Sequence, residues 1–392
     1  MRTRWSVVAL LVLGALFAMA CGGGDDNKES KATAAPAAGT AAAQALNANF
    51  GAVFTLSGPN AAYGQAQQKG VQLAMEEING KNAVEGIKVA ITVEDDAGDR
   101  NQGINVFNKF LGQANLTAII GPTLSNTAQA TDPIAQDKKV PVLGVSNTAA
   151  GITDIGDYIF RDSLTEGDVI PQTIKKVAEK VKPKKAALMF ANDDAFSKSG
   201  GDTMRDALKA NGIEIATEQQ FSTNDKDFRA QLTAVRGAGV DVIVVSALTA
   251  PATAIVTQAR DLGLKQPIVG GNGFNTPQLA QNAGDAAEGV IVGAAWNSAS
   301  TNPKSQDFIK NYKAKFNQDP DQFAAQAYAG VYILAEAVKT AKSTEHAPVR
   351  DALTKIKDLD TLLGKFSFNE KRDAVHPAVV QQIKDGKFTV LE

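Results

Sequence analysis

Residues 185–246 read KAALMFANDDAFSKSGGDTMRDALKANGIEIATEQQFSTNDKDFRAQLTAVRGAGVDVIVVS, and the fold is decided here. Three β-prone runs, at residues 185–191, 213–220 and 241–246, alternate with two amphipathic stretches. Met204, Leu208 and Asn211 mark one face of the first stretch, and Phe228, Leu232 and Val235 mark the second. Ile255 and Leu262 then lead to a fourth run at 267–270. Short strands alternating with helices of 10–15 residues predict a parallel sheet with right-handed crossovers.

Working upstream, the same alternation appears again. Residues 51–56, 88–94, 117–121 and 140–145 read as strands, and Val71, Ala74, Met75 and Ile78 fall at i, i+3, i+4 and i+7 of an intervening helix. Two series predict two sheets, an α/β class. Open α/β sheets bind ligands beyond the carboxyl ends of their strands, so two facing sheets place a site in the cleft between them. Downstream of Trp296 the pattern turns helical, at 307–316 and 323–342, where Ala324, Tyr328, Val331, Ala335 and Val338 repeat at helical spacing. Residues 379–390, VVQQIKDGKFTV, read as a hairpin turning on Asp385-Gly386. A helical tail too small to be a domain must pack back onto a sheet, so the chain crosses between lobes more than once.

Residues 1–21, MRTRWSVVALLVLGALFAMAC, have the three parts of a secretory signal: basic Arg2 and Arg4, an apolar run over 7–20, and small residues before the only cysteine, Cys21. The run is too short to span a bilayer comfortably, which takes roughly 20 apolar residues. Cys21 sits where cleavage would leave it N-terminal and ready for lipid. Residues 21–47 carry no large apolar side chain before Leu46 and read as a tether with a reach of roughly 30 Å. Loss of Arg2 and Arg4 lowers 40 basic residues to 38 against 42 acidic ones. That balance offers no basic face to nucleic acid. A lipidated Cys21 leaves no thiol for a disulfide, so the core alone must hold the fold. About 345 residues beyond the tether exceed one core and imply two domains.

Enzyme signatures are absent from the sequence. Gly270-Gly271-Asn272-Gly273 lacks the third glycine of a dinucleotide fingerprint, and no phosphate-binding GxxxxGK[ST] occurs. Residues 144–148, GVSNT, end in Thr where a nucleophile elbow needs Gly. His346 and His376 have no partner at metal spacing and are expected in solvated structural roles. Asp95-Asp96-Ala97-Gly98-Asp99 has the wrong phasing for a calcium loop and reads as solvated acids at a strand end. No metal and no cofactor is expected.

Three segments carry a family resemblance: GPNAAYGQAQQKGVQLAMEEIN, VEDDAGDRNQGINVFNKFL and IIGPTLSNTAQATDPIAQDKKVPVLGVSNTAAGITD. They are similar to the branched-chain amino-acid-binding proteins of ABC importers, and the similarity continues through KKAALMFANDDAFSKSGGD and FAAQAYAGVYILAEAV to cover residues 48–392. The resemblance implies the type I periplasmic binding protein fold, two Rossmann-like lobes with parallel sheets joined by three crossovers. The expected division is a signal peptide at 1–20, a lipidated Cys21 and tether at 21–47, one lobe from 48–164 with 295–370, and the other from 165–294 with 371–392.

By the same resemblance Ser125, Ser146 and Thr148 hold the ligand's carboxylate, and Tyr63, Phe196, Leu248 and Phe323 surround its side chain. The residues make that chemistry plausible. Ser125 follows a strand and is expected to cap a helix beginning near Asn126, presenting free N–H groups to an anion. Phe196 and Leu248 stand where relatives carry tyrosine, which implies a drier pocket. Asn272 stands where relatives carry a glutamate for the ligand's ammonium, and it supplies no charge. Asp193 and Asp194 are the acids nearest in sequence to the pocket positions that could compensate. Gly98 and Leu124 occupy positions that the resemblance pairs as a disulfide in other members. The implied function is a lipid-anchored, extracytoplasmic solute-binding protein of an ABC importer. It acts as a monomer without catalysis, captures a small hydrophobic carboxylate such as a branched-chain amino acid, and meets permease subunits at the membrane. The alternatives are a ligand-sensing subunit of a membrane receptor and a binding protein for an amine-free carboxylic acid.

Overall fold

The computed structural model describes residues 45–392. Residues 1–44, which include Cys21 and the stretches read as signal sequence and tether, lie outside the described residues. The first lobe is built on β1 (Leu46–Phe54), α1 (Ala61–Lys81), β2 (Ile87–Asp95), α2 (Arg100–Leu111), β3 (Ala118–Ile120), α3 (Ser125–Asp137), β4 (Val142–Gly144) and β5 (Ile159–Arg161). Its five strands run in the order β2-β1-β3-β4-β5 and are all parallel. β1 begins at Leu46, paired with Ile87, so the ordered fold starts inside the segment read as tether.

The second lobe takes α4 (Glu166–Lys180), β6 (Lys185–Ala191), α5 (Ala195–Ala210), β7 (Glu214–Phe221), α6 (Arg229–Gly237), β8 (Val242–Ser246), α7 (Thr249–Asp261), β9 (Ile268–Gly270), α8 (Pro277–Ala283) and β10 (Ile291–Ala294). Its strands follow the order β10-β9-β8-β6-β7 and are parallel. Central β8, VIVVS, is buried on both faces, which explains its unbroken apolar run. Each such Val or Ile contributes about 1.5–3 kcal/mol on leaving water.

The helical tail is α9 (Pro303–Phe316), α10 (Gln322–Ala341) and α11 (His346–Leu353). It returns to the first lobe: Val331, Leu334, Val338, Val349 and Leu353 share one core with Phe50, Phe54 and Ile78. A three-stranded sheet of β11 (Leu359–Thr361), β12 (Gly364–Phe368) and β13 (Ala374–Val375) follows. Then β14 (Val379–Lys384) and β15 (Lys387–Val390) extend the second sheet antiparallel beside β10. Asp385 and Gly386 turn between them at φ of 51° and 69°, the mirror-image turn that the Asp-Gly pair favours. The chain thus crosses between the sheets three times, at residues 162–165, 295–302 and 376–378. Buried Arg161 pairs with Asp373 at 2.5 Å and donates to the Ala149 carbonyl at 2.7 Å, tying the end of β5 to the loop before β13.

Two expectations need correction. The acidic loop after β2 is not simply solvated: Asp96 is fully buried and accepts from the Thr55 hydroxyl at 2.7 Å and the Gly98 N–H at 2.8 Å. Asp95 binds the Leu56 and Ala97 N–H groups, and Asp99 caps α2. The loop consumes its own carboxylates in shaping the turn. Nor are the histidines freely solvated, since both are half-buried. His346 Nε2 lies 2.7 Å from the Leu116 carbonyl, and the His376 ring sits near Phe366, with burial lowering its pKa. A Cβ on Gly98 would lie 3.4 Å from Leu124 Cδ1, so these two positions are neighbours here as well.

Candidate functional site

Three loops at the carboxyl ends of β6, β8 and β9 face two from β3 and β4. From the first lobe come Thr123, Leu124, Ser125 and Ser146, with Tyr63 from α1 and Phe323 from α10; from the second come Asp194, Phe196, Leu248, Asn272 and Gly273. These residues line one cavity. Of the residues singled out in the sequence it gathers Tyr63, Ser125, Ser146, Phe196, Leu248, Asn272 and Phe323. Thr148 is not in the lining.

The polar edge is the start of α3. Leu124, not Ser125, is the N-cap, and Ser125 is the first helical residue. The expected side-chain cap is therefore missing, and the Ser125 Oγ instead accepts from the Ala149 N–H at 3.3 Å. N–H groups of a first helical turn have no intrahelical partner, and with the helix dipole they favour an anion. The Ser146 hydroxyl donates to the Thr123 carbonyl and accepts from Gln67, both at 2.7 Å. It is thus held in place at the same edge.

The apolar wall is aromatic. The Tyr63 and Phe323 rings lie 4.6 Å apart, and Phe196 and Leu248 join them in one buried cluster. Tyr63 also reaches the other lobe, where its hydroxyl donates to the Gly273 carbonyl at 2.7 Å. Burial raises the Tyr63 pKa well above its ordinary value, so the group is a neutral donor. A Cβ on Gly273 would meet the Ala247 carbonyl at 2.3 Å and the Tyr63 hydroxyl at 3.1 Å. Only glycine permits this approach.

Further contacts hold the lobes together. The Ala195 N–H donates to Asn126 Oδ1 at 2.9 Å, and the Ala150 N–H donates to Ser199 Oγ at 3.0 Å. Gln322 Nε2 donates to Asn272 Oδ1 at 2.5 Å, which occupies the acceptor that the sequence had left for an ammonium. Thr148 donates its hydroxyl to Glu166 Oε1 at 2.7 Å. Glu166 was not anticipated. It opens α4 just after the first crossing, and burial pushes its pKa up to about 7 against hydrogen bonds from Thr148 and the Asn272 N–H. With the lobes so held the cavity amounts to about 20 Å³, far below the several hundred Å³ of a typical small-molecule pocket. Admitting a solute requires its walls to move apart.

Asp193 and Asp194 diverge. Asp193 turns to Ser222 and Thr223, accepting from the Ser222 hydroxyl at 2.5 Å and the Thr223 N–H at 2.9 Å. Asp194 is 3 % exposed and caps α5, its Oδ2 accepting from the Ser197 N–H and hydroxyl, each at 2.8 Å. Burial raises its pKa. No signal in the sequence separates the two acids, because both precede the same helix.

Two parallel-stranded lobes shut by hinge crossings over a small cavity, apolar on one wall and anion-favouring on the other, define a solute-binding protein. The chain belongs to the periplasmic binding protein family, whose pattern matches residues 48–387. The Leu/Ile/Val-binding protein BraC3 of Rhizobium johnstonii is 30% identical over 327 residues, covering 83% of this chain and 88% of its own. The crystal structure of the branched-chain amino acid transporter substrate-binding protein LivJ from Streptococcus pneumoniae, in complex with isoleucine, is 32% identical with a TM-score of 0.82. The match covers 88% of this chain and 98% of that one. A solute-binding protein of Rhodopseudomonas palustris in complex with 3,4-dihydroxybenzoic acid shares the fold, at 22% identity and a TM-score of 0.78, covering 87% of this chain and 95% of that one. These relatives are binding proteins, the one from Rhodopseudomonas palustris of an ABC transporter, and the chain, like them, is no enzyme. No helix of the described residues is long and apolar enough to cross a membrane.

Proposed function

We propose that this protein captures a small hydrophobic carboxylate such as a branched-chain amino acid outside the cytoplasm and delivers it to an ABC permease, held at the membrane by a lipid on Cys21. The observation that carries the reading is the meeting, in one cavity, of the α3 N-terminus and Ser125 with the apolar wall of Tyr63, Phe196, Leu248 and Phe323. The N–H groups suit a carboxylate, and the wall suits an aliphatic side chain. The names of its relatives, Leu/Ile/Val-binding protein and a transporter subunit holding isoleucine, support the same class of ligand.

Phe196 and Leu248 offer no hydroxyl, so selection in this wall rests on shape and dryness. Solute contacts from both lobes would favour the shut arrangement, and the closed monomer would present both lobes to the permease. The test is a thermal-shift screen with leucine, isoleucine and valine beside polar amino acids and amine-free carboxylates, because a ligand that binds only the folded state raises the melting temperature. The branched-chain amino acids are expected to give the largest shifts. A shift confined to polar or uncharged solutes would overturn the reading.

A further inference from the structure

We infer that Asp194 is the anionic partner of an ammonium on the ligand, replacing the charge that Asn272 cannot supply. This rests on the amino-acid reading above and adds to it the residue that selects the amine. Besides Asp202 and Asp206 at the outer mouth, four carboxylates stand near the shut cleft, and geometry leaves one. Asp193 is drawn off to Ser222 and Thr223. Glu166 lies outside the lining, behind Asn272, where it takes the Thr148 hydroxyl. Asp321 caps α10 through the Ala324 N–H at 2.9 Å and lines a different groove.

Asp194 forms part of the cavity wall itself, with Ser125 and Asn272. Its Oδ2 is fixed by the two bonds from Ser197, which locks the carboxylate at the head of α5. Among the described residues Oδ1 accepts no hydrogen bond. Asn272, the alternative acceptor, is already bonded to Gln322. Asp194 also borders the wide cavity outside, lined by Arg100, Asp193, Lys198, Asp202 and Asp206, so it stands between the inner cavity and the cleft mouth.

The arrangement divides the two charges of a zwitterion between the lobes. Its carboxylate meets the α3 N-terminus in the first lobe, and its ammonium meets Asp194 in the second. A molecule with both ends charged then has a charged contact in each lobe, whereas an amine-free acid has one in the first lobe alone. Burial makes the Asp194 charge costly, Arg100 outside the cavity offsets part of that cost, and a cation within the cavity would offset more.

Calorimetry on the wild type, Asp194→Asn and Asp193→Asn with leucine and with 4-methyl-2-oxopentanoate, its amine-free counterpart, tests the assignment. Asparagine still caps a helix well, so Asp194→Asn should keep its fold, which thermal melting will check. Leucine binding should weaken roughly 10- to 100-fold in Asp194→Asn, the scale of a lost hydrogen bond to a charged group. The oxo acid should change far less, and Asp193→Asn should bind leucine as the wild type does. Leucine held equally well by Asp194→Asn would overturn the inference and leave the amino-acid reading standing. Parallel loss of leucine and the oxo acid would overturn it too, showing that Asp194 only shapes the loop. A wild type that binds the oxo acid but not leucine would sink both.

Discussion

Tyr63→Phe removes one oxygen atom from the contact that ties α1 to the second lobe. The Tyr63 side chain is buried and its hydroxyl donates to the Gly273 carbonyl at 2.7 Å. The ring would stay against Phe323, 4.6 Å away between centroids. In the shut state the variant loses that hydrogen bond and leaves a buried carbonyl short of its donor, together a cost of about 1–2 kcal/mol. In an open state water would satisfy both groups, so nothing is lost there. The difference, roughly 1–2 kcal/mol, moves the open–shut equilibrium about 5- to 30-fold toward open. Apparent affinity falls by up to the same factor, because a ligand that needs the shut state must supply the missing free energy. Small-angle scattering of the ligand-free protein should show a radius of gyration no smaller than wild type. Titration calorimetry should show leucine bound about 5- to 30-fold more weakly. Affinity within twofold of wild type would refute the claim that this contact holds the lobes.

Ser125→Ala should weaken carboxylates by about 0.5–1.5 kcal/mol and leave leucinamide, which has no carboxylate, unchanged; calorimetry on both will tell, and equal effects would remove Ser125 from the anion edge. Glu166, with its pKa pushed up to about 7 by burial, binds a proton in the folded protein that the unfolded chain releases above its ordinary value near 4.5. Its contribution is therefore fully present below that value and is lost as pH rises through about 7, on the order of 3 kcal/mol. Glu166→Gln should flatten the fall in melting temperature between pH 5 and pH 8, and a variant with the wild-type slope would show that another group carries it. Cys21→Ser should move the protein from the membrane fraction to the soluble fraction of its host, and mass spectrometry of the wild type should find residues 1–20 gone and a lipid on Cys21. An intact Met1 would end that idea.

The two-sheet architecture was legible because its strands are local signals. Val242–Val245 and Lys185–Ala191 announce buried parallel strands by composition alone, and the Asp385-Gly386 hairpin announces itself by turn chemistry. What stayed hidden depends on partners distant in sequence. Nothing near Thr148 says that its hydroxyl goes to Glu166 rather than to the cavity. Nothing near Asn272 points to Gln322. The sequence shows the acids at 95–99 but not that Asp96 is folded under Thr55. Family resemblance found seven of the residues lining the cavity and missed Thr123, Leu124 and Gly273; periodicity would have assigned Tyr63, Phe196 and Phe323 to core, and they are indeed buried. A shut cleft gives pocket and core side chains the same surroundings.

The three crossings also set the order in which the protein can become stable during synthesis. A nascent chain ending at Ala294 already holds every parallel strand of both sheets. Yet the first sheet still lacks α10 and α11, whose Val331, Leu334, Val349 and Leu353 complete its core, and β10 is still an unpaired edge without β14. The first lobe cannot bury its apolar face until nearly the whole chain has been made, although residues 170–292 already supply almost all of the second lobe's core. A polypeptide bound for export benefits from that delay, because premature folding would leave it too wide to thread through a secretion channel. The late return of residues 303–390 to both lobes writes a timer into the topology.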